Sequence, residues 1–571
     1  MAASGKVLVI GDDTRSFLAT VRSLGRRGLE VHVAPYDMNA PALRSKYIRR
    51  VHRLPYYLDG GERWRAAVVK ACQEERFDLV IPCEERSLLP LYRHRDALEP
   101  LCRLAIPDPH ALEAFFDKFS TRELAAELGV PVARGRMLTS TDDAAGLCAE
   151  FSLPMVLKFR RSYSWDELYV RKNASVIHSR AELERWLADN RAETGNVFVE
   201  EFWPGLGGGL SVLCDRGKVV LAFEHQRAHE VTGSSFYRRS VKLDPARLAA
   251  VRAMTERIGY TGLAMFEFKL NTTRGEWRLL EVNARPWGSL PLPVALGVNF
   301  PLGLYQLLVE GTVPQPAGYR AGVYGRNLIP DLWQLRSNLA AAAKLQRLRM
   351  LGAWTWEFRR VLAGNEVHDL WVGDDRAPAI EELRQFAGER LAALRPARAN
   401  ARLAGQERRI ISAAQAARRP LKIVFICQGN ICRSPYAEHR LGQMLPAGSA
   451  ITVDSAGMLP RNARPSPPAA IMAAHRRGVD LAPHRSRHAF AETVAAATHI
   501  FVFDEKNLRS FCARYPELAE RVFFLAGLDA SRAGHEIHDP DGKADTVFDQ
   551  TYAQIDRCLE GLVKQLEPAH A

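Results

Sequence analysis

The chain has 571 residues, 47% of them hydrophobic, and a formal net charge of +13 at neutral pH. This length exceeds what one hydrophobic core supports, and the composition predicts a globular protein of several domains. The longest apolar runs are strand-sized, which argues against membrane-spanning helices and a secretory leader, so we expect a cytoplasmic protein. The nine cysteines are dispersed, which favours reduced thiols over a disulfide scaffold.

Strand-like and helix-like segments alternate over residues 1–106. Lys6–Gly11, Val31–Ala34 and Phe77–Pro82 are short apolar runs that predict strands. The alternation predicts a parallel, wound sheet, and therefore an α/β protein. The turn at Gly11–Thr14 lacks the G-x-G-x-x-G spacing of dinucleotide-binding folds, so we expect no dinucleotide site there.

Residues 107–325 carry charged and amide side chains on predicted strands. Alternation along one strand places Glu281, Asn283 and Arg285 on the same face. Glu267, on the preceding strand, would complete a set of hard oxygen ligands for a Mg²⁺ ion that bridges ATP phosphates. This pattern predicts a nucleotide and metal site, although each residue alone is equally typical of a surface charge.

Four segments in this order resemble motifs of the ATP-grasp superfamily: Asp117-Lys118, Leu153–Phe159, Val197–Phe202 and Met265–Pro286. The resemblance implies an ATP-grasp fold, with a wound subdomain over residues 1–106 and a two-part α+β ATP clamp over residues 107–325. It also implies ligation of a small-molecule carboxylate to an amine or another nucleophile through an acyl-phosphate.

The resemblance further implies roles for individual residues. The implied roles are phosphate contact by Lys118 and Lys158, adenine-hinge positions for Glu200 and Glu201, acyl-phosphate stabilisation by Arg285, and binding of Mg²⁺ (or Mn²⁺) by Glu267, Glu281 and Asn283.

Two segments of this half leave alternatives open. Residues 160–167 would form the phosphate lid, but they read RRSYSWDE and contain no glycine. Gly205–Gly209 is either a flexible element near the acceptor or a simple turn.

The alternative interpretation of this whole half is a nucleotide-binding regulatory module that has lost catalysis and controls the C-terminal domain.

Residues 326–420 are rich in Ala, Leu and Arg, and their pattern is mostly helical. We interpret this stretch as a basic helical segment followed by a linker. The alternative is a binding scaffold, in which this basic segment contacts an anionic polymer or membrane surface. We expect no specific nucleic-acid partner. A predicted strand starts at Leu421, directly after Pro420, which predicts a C-terminal domain over residues 421–571.

That strand ends in the loop Cys427-Gln-Gly-Asn-Ile-Cys-Arg433-Ser434-Pro435, which we call the cysteine loop. A helical pattern follows, and a helix N-terminus stabilises a thiolate and an anion through its dipole and its free N–H groups. Arg433 can grip two phosphate oxygens with its planar guanidinium, and Ser434 can donate to the sulfur. The loop therefore predicts nucleophilic attack by Cys427 on a phosphate ester.

The departing alkoxide or phenolate needs a proton. Asp539, in the turn sequence His538–Gly542, is the predicted acid, and Asp541 is the alternative.

The cysteine loop, Asp454–Gly457, His484–Arg487, His499–Asp504 and Asp539-Pro540 occur in this order. Together they resemble the low-molecular-weight protein tyrosine phosphatase family, whose domain has a central parallel sheet. The resemblance implies a phosphocysteine intermediate and a phosphotyrosine protein substrate. The implied residues are the nucleophile Cys427, the phosphate ligand Arg433, the acid Asp539, and the loop supports Gly429, Asn430, Ser434 and Ser455.

Three further alternatives concern this domain. An arsenate reductase would relay electrons through another cysteine, and Cys512 is the candidate. Cys432 is either a small packed residue or the partner of Cys427 in a protective disulfide. Asp541 and Gly542 stand where family members often carry aromatic residues, so the preference for phosphotyrosine is open.

Overall fold

The computed structural model describes residues 5–165, 168–229, 236–271, 273–316, 318–341, 343–393, 410, 420–446, 448–529, 531 and 536–566. The chain forms two compact units, of which the first holds most residues up to Leu383 and the second begins at Arg384. Across this part of the chain, none of the helices combines the length and the apolar content needed to cross a bilayer.

The first unit begins with a parallel sheet. Its strands are β1 Lys6–Ile10, β2 Glu30–Ala34, β3 Ile48–Val51, β4 Leu79–Pro82 and β5 Arg103–Leu104, in the order β3–β2–β1–β4–β5. The helices of this part are α1 Ser16–Arg26, α2 Glu62–Glu75, α3 Glu85–Arg93 and α4 Arg95–Leu98. Val7 and Val9 pack in one apolar cluster and Leu8 and Ile10 in another, so both faces of β1 are buried, as in wound sheets.

An antiparallel sheet follows and forms one part of the predicted clamp. It contains β6 Gly135–Met137, β7 Met155–Phe159, β8 Ser175–Ile177 and β9 Val197–Glu201, in the order β6–β9–β7–β8. Its helices are α7 Ala144–Glu150 and α8 Arg180–Asp189, whereas the preceding helices α5 Pro109–Phe116 and α6 Lys118–Glu127 pack against the larger sheet that follows. Asp117 caps α6 by accepting from the backbone N–H groups of Phe119 at 3.0 Å and Ser120 at 3.1 Å, which holds Lys118 at the first turn.

A larger sheet forms the other part. Its strands are β10 Leu206–Asp215, β11 Lys218–Arg227, β12 Tyr237–Val241, β13 Gly262–Asn271, β14 Glu276–Asn283, β15 Tyr324–Arg326 and β16 Glu366–His368, in the order β14–β13–β10–β11–β12–β15–β16. The associated helices are α9 Pro245–Arg257, α10 Pro291–Ala295 and α11 Phe300–Tyr305. Gly207–Gly209 lie within β10, so this stretch is a strand rather than a turn.

The segment after residue 325 is helical, as predicted, with α12 Leu328–Ala341, α13 Lys344–Glu357, α14 Arg359–Leu362 and α15 Ala377–Ala393. Residues 326–383 nevertheless belong to the first unit, and β16 pairs with β15 in its sheet. Buried ion pairs join this segment to distant strands and helices, with Arg22 Nε 2.9 Å from Asp375 and Arg238 Nη1 2.9 Å from Asp369. The predicted linker, residues 395–420, lies almost wholly outside the described residues.

The second unit is a smaller parallel α/β domain. Its strands are β17 Lys422–Cys427, β18 Thr452–Gly457, β19 His499–Val502 and β20 Val522–Phe524, in the order β18–β17–β19–β20. Its helices are α16 Arg433–Met444, α17 Pro468–His475, α18 Ala491–Ala495, α19 Glu505–Arg514 and α20 Asp545–Leu566. Phe425 and Cys427 face one apolar cluster and Val424 and Ile426 face the other, so β17 is the buried central strand.

Candidate active sites

The cysteine loop joins the end of β17 to the start of α16. Cys427 is the last residue of the strand and Arg433 the first of the helix, and both are buried. Asn430 turns the chain with φ of +52°, a left-handed conformation that asparagine tolerates better than most residues. This turn directs the Asn430 N–H toward the sulfur.

Two polar groups contact the sulfur of Cys427. The Asn430 N–H donates to Sγ at 3.2 Å, and Ser434 Oγ lies 3.1 Å from Sγ. The sulfur also lies near the N-terminal end of α16, where a helix favours negative charge. The arrangement can hold a nucleophilic sulfur and the anion that it attacks.

Asn430 is the centre of the hydrogen bonds that brace the loop. Its Nδ2 donates to Ser434 Oγ at 2.9 Å and to Ser455 Oγ at 2.8 Å. Its Oδ1 accepts from the Arg487 N–H at 2.8 Å, and His484 Nε2 lies 2.8 Å from its backbone oxygen. The predicted bracing contact between Asn430 and Ser455 is therefore present.

Three residues beside the loop were missed as supports. Glu438 accepts from Ser455 Oγ at 2.6 Å, and burial raises the pKa of this carboxyl. A Cβ on Gly457 would lie 3.0 Å from the backbone of Asn430, so a side chain there would fit only if the loop shifted by a few tenths of an ångström. His484 and Gly457 stand in motifs of the family resemblance, which was the available signal; nothing local indicated Glu438.

Gly429 itself has more room than its predicted supporting role suggests. A Cβ there would meet Ile431 Cγ1 at 3.4 Å, an ordinary contact. The surrounding protein therefore does not require glycine at this position.

Arg433 connects the loop to the predicted acid. Its Nη2 donates to Asp539 Oδ2 at 2.6 Å, and its Nη1 donates to Asp504 Oδ2 at 2.6 Å and to the oxygen of Ile537 at 2.9 Å. Its Nε, also buried, has no hydrogen-bond partner among the described residues. Asp541 is exposed and reaches this group only through its N–H, 3.4 Å from Asp539 Oδ1, so the geometry favours Asp539 as the acid.

The other cysteines bear on the alternatives. Burial raises the pKa of the Cys432 thiol, and Cys427 and Cys432 are both free thiols in the structure. Cys512 packs with Val424 and Ile426, on the opposite face of the sheet from Cys427. A relay from Cys427 to Cys512 would have to pass through the sheet, which disfavours the arsenate reductase.

The predicted metal ligands in the first unit meet on two paired strands. Glu267 of β13 lies opposite Glu281 of β14 in the register, and Asn283 Nδ2 donates to Glu267 Oε1 at 3.2 Å. Burial and the charge of Glu281 raise the pKa of Glu267. Burial opposes ionisation of Glu281 too, but Lys118 and Lys158 outweigh it and lower the pKa of Glu281 to about 2.

The predicted phosphate-contacting lysines lie beside these carboxylates. Lys118 Nζ is 3.4 Å from Glu281 Oε2 and donates to Ser162 Oγ at 2.8 Å. Lys158, on β7, pairs with Glu200 of β9. Residues 160–165 of the proposed lid are described and supply Ser162, whereas residues 166–167 lie outside the described part.

Glu200 and Glu201 point to opposite faces of β9. Glu200 is buried beside Lys158, whereas Glu201 is half exposed and pairs with Arg134 at 2.7 Å. The structure thus brings Glu200, but not the Glu201 side chain, to the lysines. Strand alternation explains the difference.

Arg285 lies between the metal-ligand cluster and the wound subdomain. Its Nη2 donates to Asn283 Oδ1 at 3.1 Å and to Glu85 Oε1 at 3.2 Å. Glu85 is the first residue of α3, so the cluster faces the carboxyl edge of the parallel sheet. Ligand sites of wound sheets lie at this edge.

A cavity opens at this edge, lined by the predicted residues Glu267, Glu281, Asn283 and Arg285 and by others that the sequence did not indicate. Four of its buried polar atoms have no hydrogen-bond partner within the described ranges: Glu84 Oε1, His225 Nδ1, Arg285 Nε and Trp287 Nε1. Burial lowers the pKa of His225 to about 3, so its ring is neutral. Buried polar groups nearly always have a partner in the protein or an ordered water, so these four atoms are available to bind a polar ligand or water.

The glycines of β10 make room for this lining. A Cβ on Gly209 would lie 2.5 Å from His225 Cε1, and a Cβ on Gly207 would lie 2.5 Å from Arg227 Cδ. The run of small residues therefore lets side chains of β11 lie across the strand.

The buried cysteine, its loop and the Arg433–Asp539 pair on a parallel sheet define a cysteine-dependent phosphatase. The family model described as low molecular weight phosphotyrosine protein phosphatase matches residues 422–570. The model described as ATP-grasp in the biosynthetic pathway with Ter operon matches residues 196–324.

Two curated relatives match the second unit. The probable low molecular weight protein-tyrosine-phosphatase EpsP of Ralstonia nicotianae is 31% identical over 25% of this chain and 94% of its own length. The phosphatase Wzb of Salmonella typhi is 30% identical over 24% of this chain and 87% of its own. Through this domain, the chain belongs to the low-molecular-weight protein-tyrosine-phosphatase family.

Residues 196–324 of the first unit match the ATP-grasp family model, so the predicted fusion of an ATP-grasp domain with a phosphatase domain is confirmed. A solved structure of N5-carboxyaminoimidazole synthetase from Staphylococcus aureus is similar to it, with 15% identity over 58% of this chain and 85% of that one, and a TM-score of 0.46.

Proposed function

We propose that the second unit hydrolyses phosphate monoesters through a phosphocysteine. The Cys427 sulfur attacks phosphorus and forms the S–P bond, the ester P–O bond breaks, and Asp539 gives its proton to the leaving oxygen. Arg433 and the loop N–H groups stabilise the phosphoryl oxygens. Water then attacks phosphorus, Asp539 takes a proton from it, and the S–P bond breaks to release phosphate and the thiolate.

The observation that carries this proposal is the pair of polar contacts on the Cys427 sulfur, from the Asn430 N–H and Ser434 Oγ, beside the Arg433–Asp539 pair. Hydrolysis of an aryl phosphate by the full chain tests it. Cys427→Ser should lower kcat at least about 1,000-fold and Asp539→Ala about 100-fold, whereas the exposed Asp541→Ala should change it little. Equal losses for Asp539→Ala and Asp541→Ala would refute the assignment of the acid.

The proposed substrate is a phosphotyrosine protein, as the names of the relatives suggest. Asp541 and Gly542, just after the acid, offer no aromatic surface to the substrate ring. Phosphotyrosine and phosphoserine peptides of one sequence should be compared. A higher kcat/KM for phosphotyrosine is expected because the Cys427 sulfur is buried and a longer side chain reaches it.

We propose that the first unit is an ATP- and Mg²⁺-dependent ligase that joins a small-molecule carboxylate to an amine or another nucleophile. The donor set of Glu267, Glu281 and Asn283, two carboxylates and an amide oxygen, fits Mg²⁺ (or Mn²⁺), which would neutralise phosphate charge when bound. Lys118 and Lys158 would position the phosphates.

The cavity at the sheet edge would hold the acceptor and exclude water. There the Arg285 guanidinium would stabilise the negative charge of the reacting acyl group.

The juxtaposition of Glu281 with Lys118, within 3.4 Å, carries the ligase proposal. Glu281→Gln should weaken Mg²⁺-dependent ATP binding at least about 10-fold, because it removes a metal ligand. Glu201→Gln is the matched control, since that side chain lies on the other face of β9. Identical binding by wild type and Glu281→Gln would contradict the metal site.

The regulatory alternative predicts a different pattern. Nucleotide would then bind without ADP release in the presence of any carboxylate and amine, and ATP would change the rate of phosphate-ester hydrolysis.

We also propose a weak contact between α13 and an anionic membrane surface or polymer, for a protein that acts in the cytoplasm. Leu348 and Trp356 are exposed on α13, and the Arg359 guanidinium lies 4.4 Å from the centroid of the Trp356 ring. Exposed tryptophan beside arginine suits such surfaces. Sedimentation with anionic but not neutral vesicles, reversed by salt, would support the contact.

A further inference from the structure

Two histidines and a carboxylate lie together on the second unit, and two of them, Glu438 and His484, also brace the cysteine loop. We infer that Glu438, His439 and His484 form a binding site for a divalent transition metal ion of the zinc class. One ligand atom from each residue lies within 4.8 Å of the others. Glu438 and His439 are on α16, and His484 comes from a loop packed against it. This site goes beyond the proposed phosphatase and ligase functions.

His484 is already oriented as a metal ligand. Its Nε2 lies 2.8 Å from the backbone oxygen of Asn430 and donates to it, which leaves the Nδ1 lone pair for a metal. Metal-binding histidines typically donate their other N–H to a carbonyl in this way.

The His439 side chain has no evident structural role among the described residues. Among the described residues its ring has no hydrogen-bond partner, and its main neighbour is the His484 ring, edge to face with centroids 6.1 Å apart. It is partly exposed, so an ion can reach it from solvent and the ring can rotate toward Glu438.

Glu438 supplies the carboxylate. Its Oε2 accepts from Ser455 Oγ at 2.6 Å, and Arg487 Nη2 lies 3.5 Å from its Oε1. Arg487 pairs more closely with Asp454, so its contact with Glu438 is the weaker of its two ion pairs. The second oxygen is therefore able to turn toward the histidines.

Two imidazoles, one carboxylate and a water suit the four-coordinate geometry of zinc. Metal–ligand bonds of about 2.0–2.2 Å place tetrahedral ligands about 3.4 Å apart, so the cluster must contract slightly. Rotation of the unrestrained His439 ring provides that contraction.

The other His–His–Glu group in the described residues, His32, His52 and Glu75, lacks these features. His32 uses both ring nitrogens, at 2.9 Å from His52 and 2.8 Å from Glu30. Glu75 is 3.0 Å from Lys6 and also pairs with Arg50. Positive neighbours and occupied nitrogens disfavour a metal there, so this group is a built-in control.

Zinc binding to the full chain tests the site. The experiment uses a Cys427→Ser background, so that the catalytic thiol does not bind the ion. Competitive titration with a zinc-responsive dye should show a site whose affinity falls at least about 10-fold on His439→Gln. His52→Gln should leave the titration unchanged, and far-ultraviolet circular dichroism should confirm that all variants are folded.

Cobalt gives an independent readout. Co²⁺ at the site should show the visible absorption of a tetrahedral nitrogen and oxygen ligand set, and His439→Gln should abolish it. Identical zinc titrations and cobalt spectra with and without His439 would overturn the inference, and so would equal losses for His439→Gln and His52→Gln.

Discussion

At the scale of single residues, Asn430 links the nucleophile to the rest of the second unit. It is completely buried, adopts a left-handed conformation, and bonds to Ser434, Ser455, Arg487 and His484. Its own N–H reaches the Cys427 sulfur. The side chain therefore sets the loop shape on which catalysis depends.

Replacing Asn430 by Ala should lower both stability and activity. The substitution leaves buried partners unsatisfied, which costs about 2 kcal/mol or more of the free energy of unfolding. It should also lower kcat for an aryl phosphate at least about 10-fold, because the loop is no longer held in shape. Urea unfolding and steady-state kinetics measure the two effects.

Asn430→Gly is the matched control, because glycine accepts the positive φ but restores no side-chain hydrogen bond. Losses as large as those of Asn430→Ala are expected. Near wild-type behaviour of Asn430→Gly would show that backbone conformation, rather than bonding, is what matters.

At the scale of elements, close packing of β18 on the cysteine loop leaves little room for a side chain at Gly457. Its Cβ would lie 3.0 Å from the Asn430 nitrogen and 3.0 Å from the Gly429 carbonyl carbon. Gly457→Ala should therefore displace the loop, cost about 1–3 kcal/mol of stability and lower kcat/KM.

Gly442→Ala on α16 is the comparison for Gly457→Ala, because nothing lies within 4 Å of a Cβ there. It should be neutral or stabilise the helix by about 0.5–1 kcal/mol. Thermal melts and aryl phosphate kinetics of both variants would show whether loop contact alone accounts for the loss.

A second element-scale contact joins the chain just after β11 to α12 and α13. Burial opposes protonation of His229, but hydrogen bonds to Asp331 and Glu357, at 3.2 and 3.1 Å, outweigh it and raise the pKa of His229 to about 9. Because the folded pKa exceeds the unfolded value of about 6.5, the stabilisation is full below pH 6.5 and is lost as pH rises through 9.

The expected loss between pH 6.5 and 9.5 is about 1 kcal/mol, since the partial exposure of His229 weakens the effect. Urea unfolding of wild type and His229→Gln at several pH values measures it. The wild type should lose more stability than the variant over this range, and parallel curves would contradict the account.

At the scale of the whole molecule, two α/β units each carry a site built at the end of a sheet. Site residues that are close together in the sequence were predictable from it. The contiguous loop Cys427–Ser434 is one example, and Glu281 and Asn283, which alternate along one strand, are another. Residues brought in by distant packing were not, such as Glu438 beside Ser455 and Glu84 in the cavity. Their roles depend on contacts that no local pattern encodes.

The C-terminal limit of the first unit was not predictable from the sequence either, because it also depends on contacts between residues that are far apart in the chain. The sequence predicted a separate helical segment from residue 326, because its composition is basic and its pattern helical. Arg22 and Asp375 form a buried pair across 353 positions, which ties residues up to Leu383 into that unit. The separation of Glu201 from Glu200, by contrast, follows from strand alternation and was within reach.

The most direct test of the two-enzyme account measures aryl phosphate hydrolysis and ADP release in the same samples of the full chain. ADP release is followed with a panel of carboxylates and amines, for wild type, Cys427→Ser and Glu281→Gln. We predict that Cys427→Ser abolishes only hydrolysis and Glu281→Gln only ADP release. Loss of both activities in either variant, or hydrolysis that persists in Cys427→Ser, would contradict two independent catalytic sites.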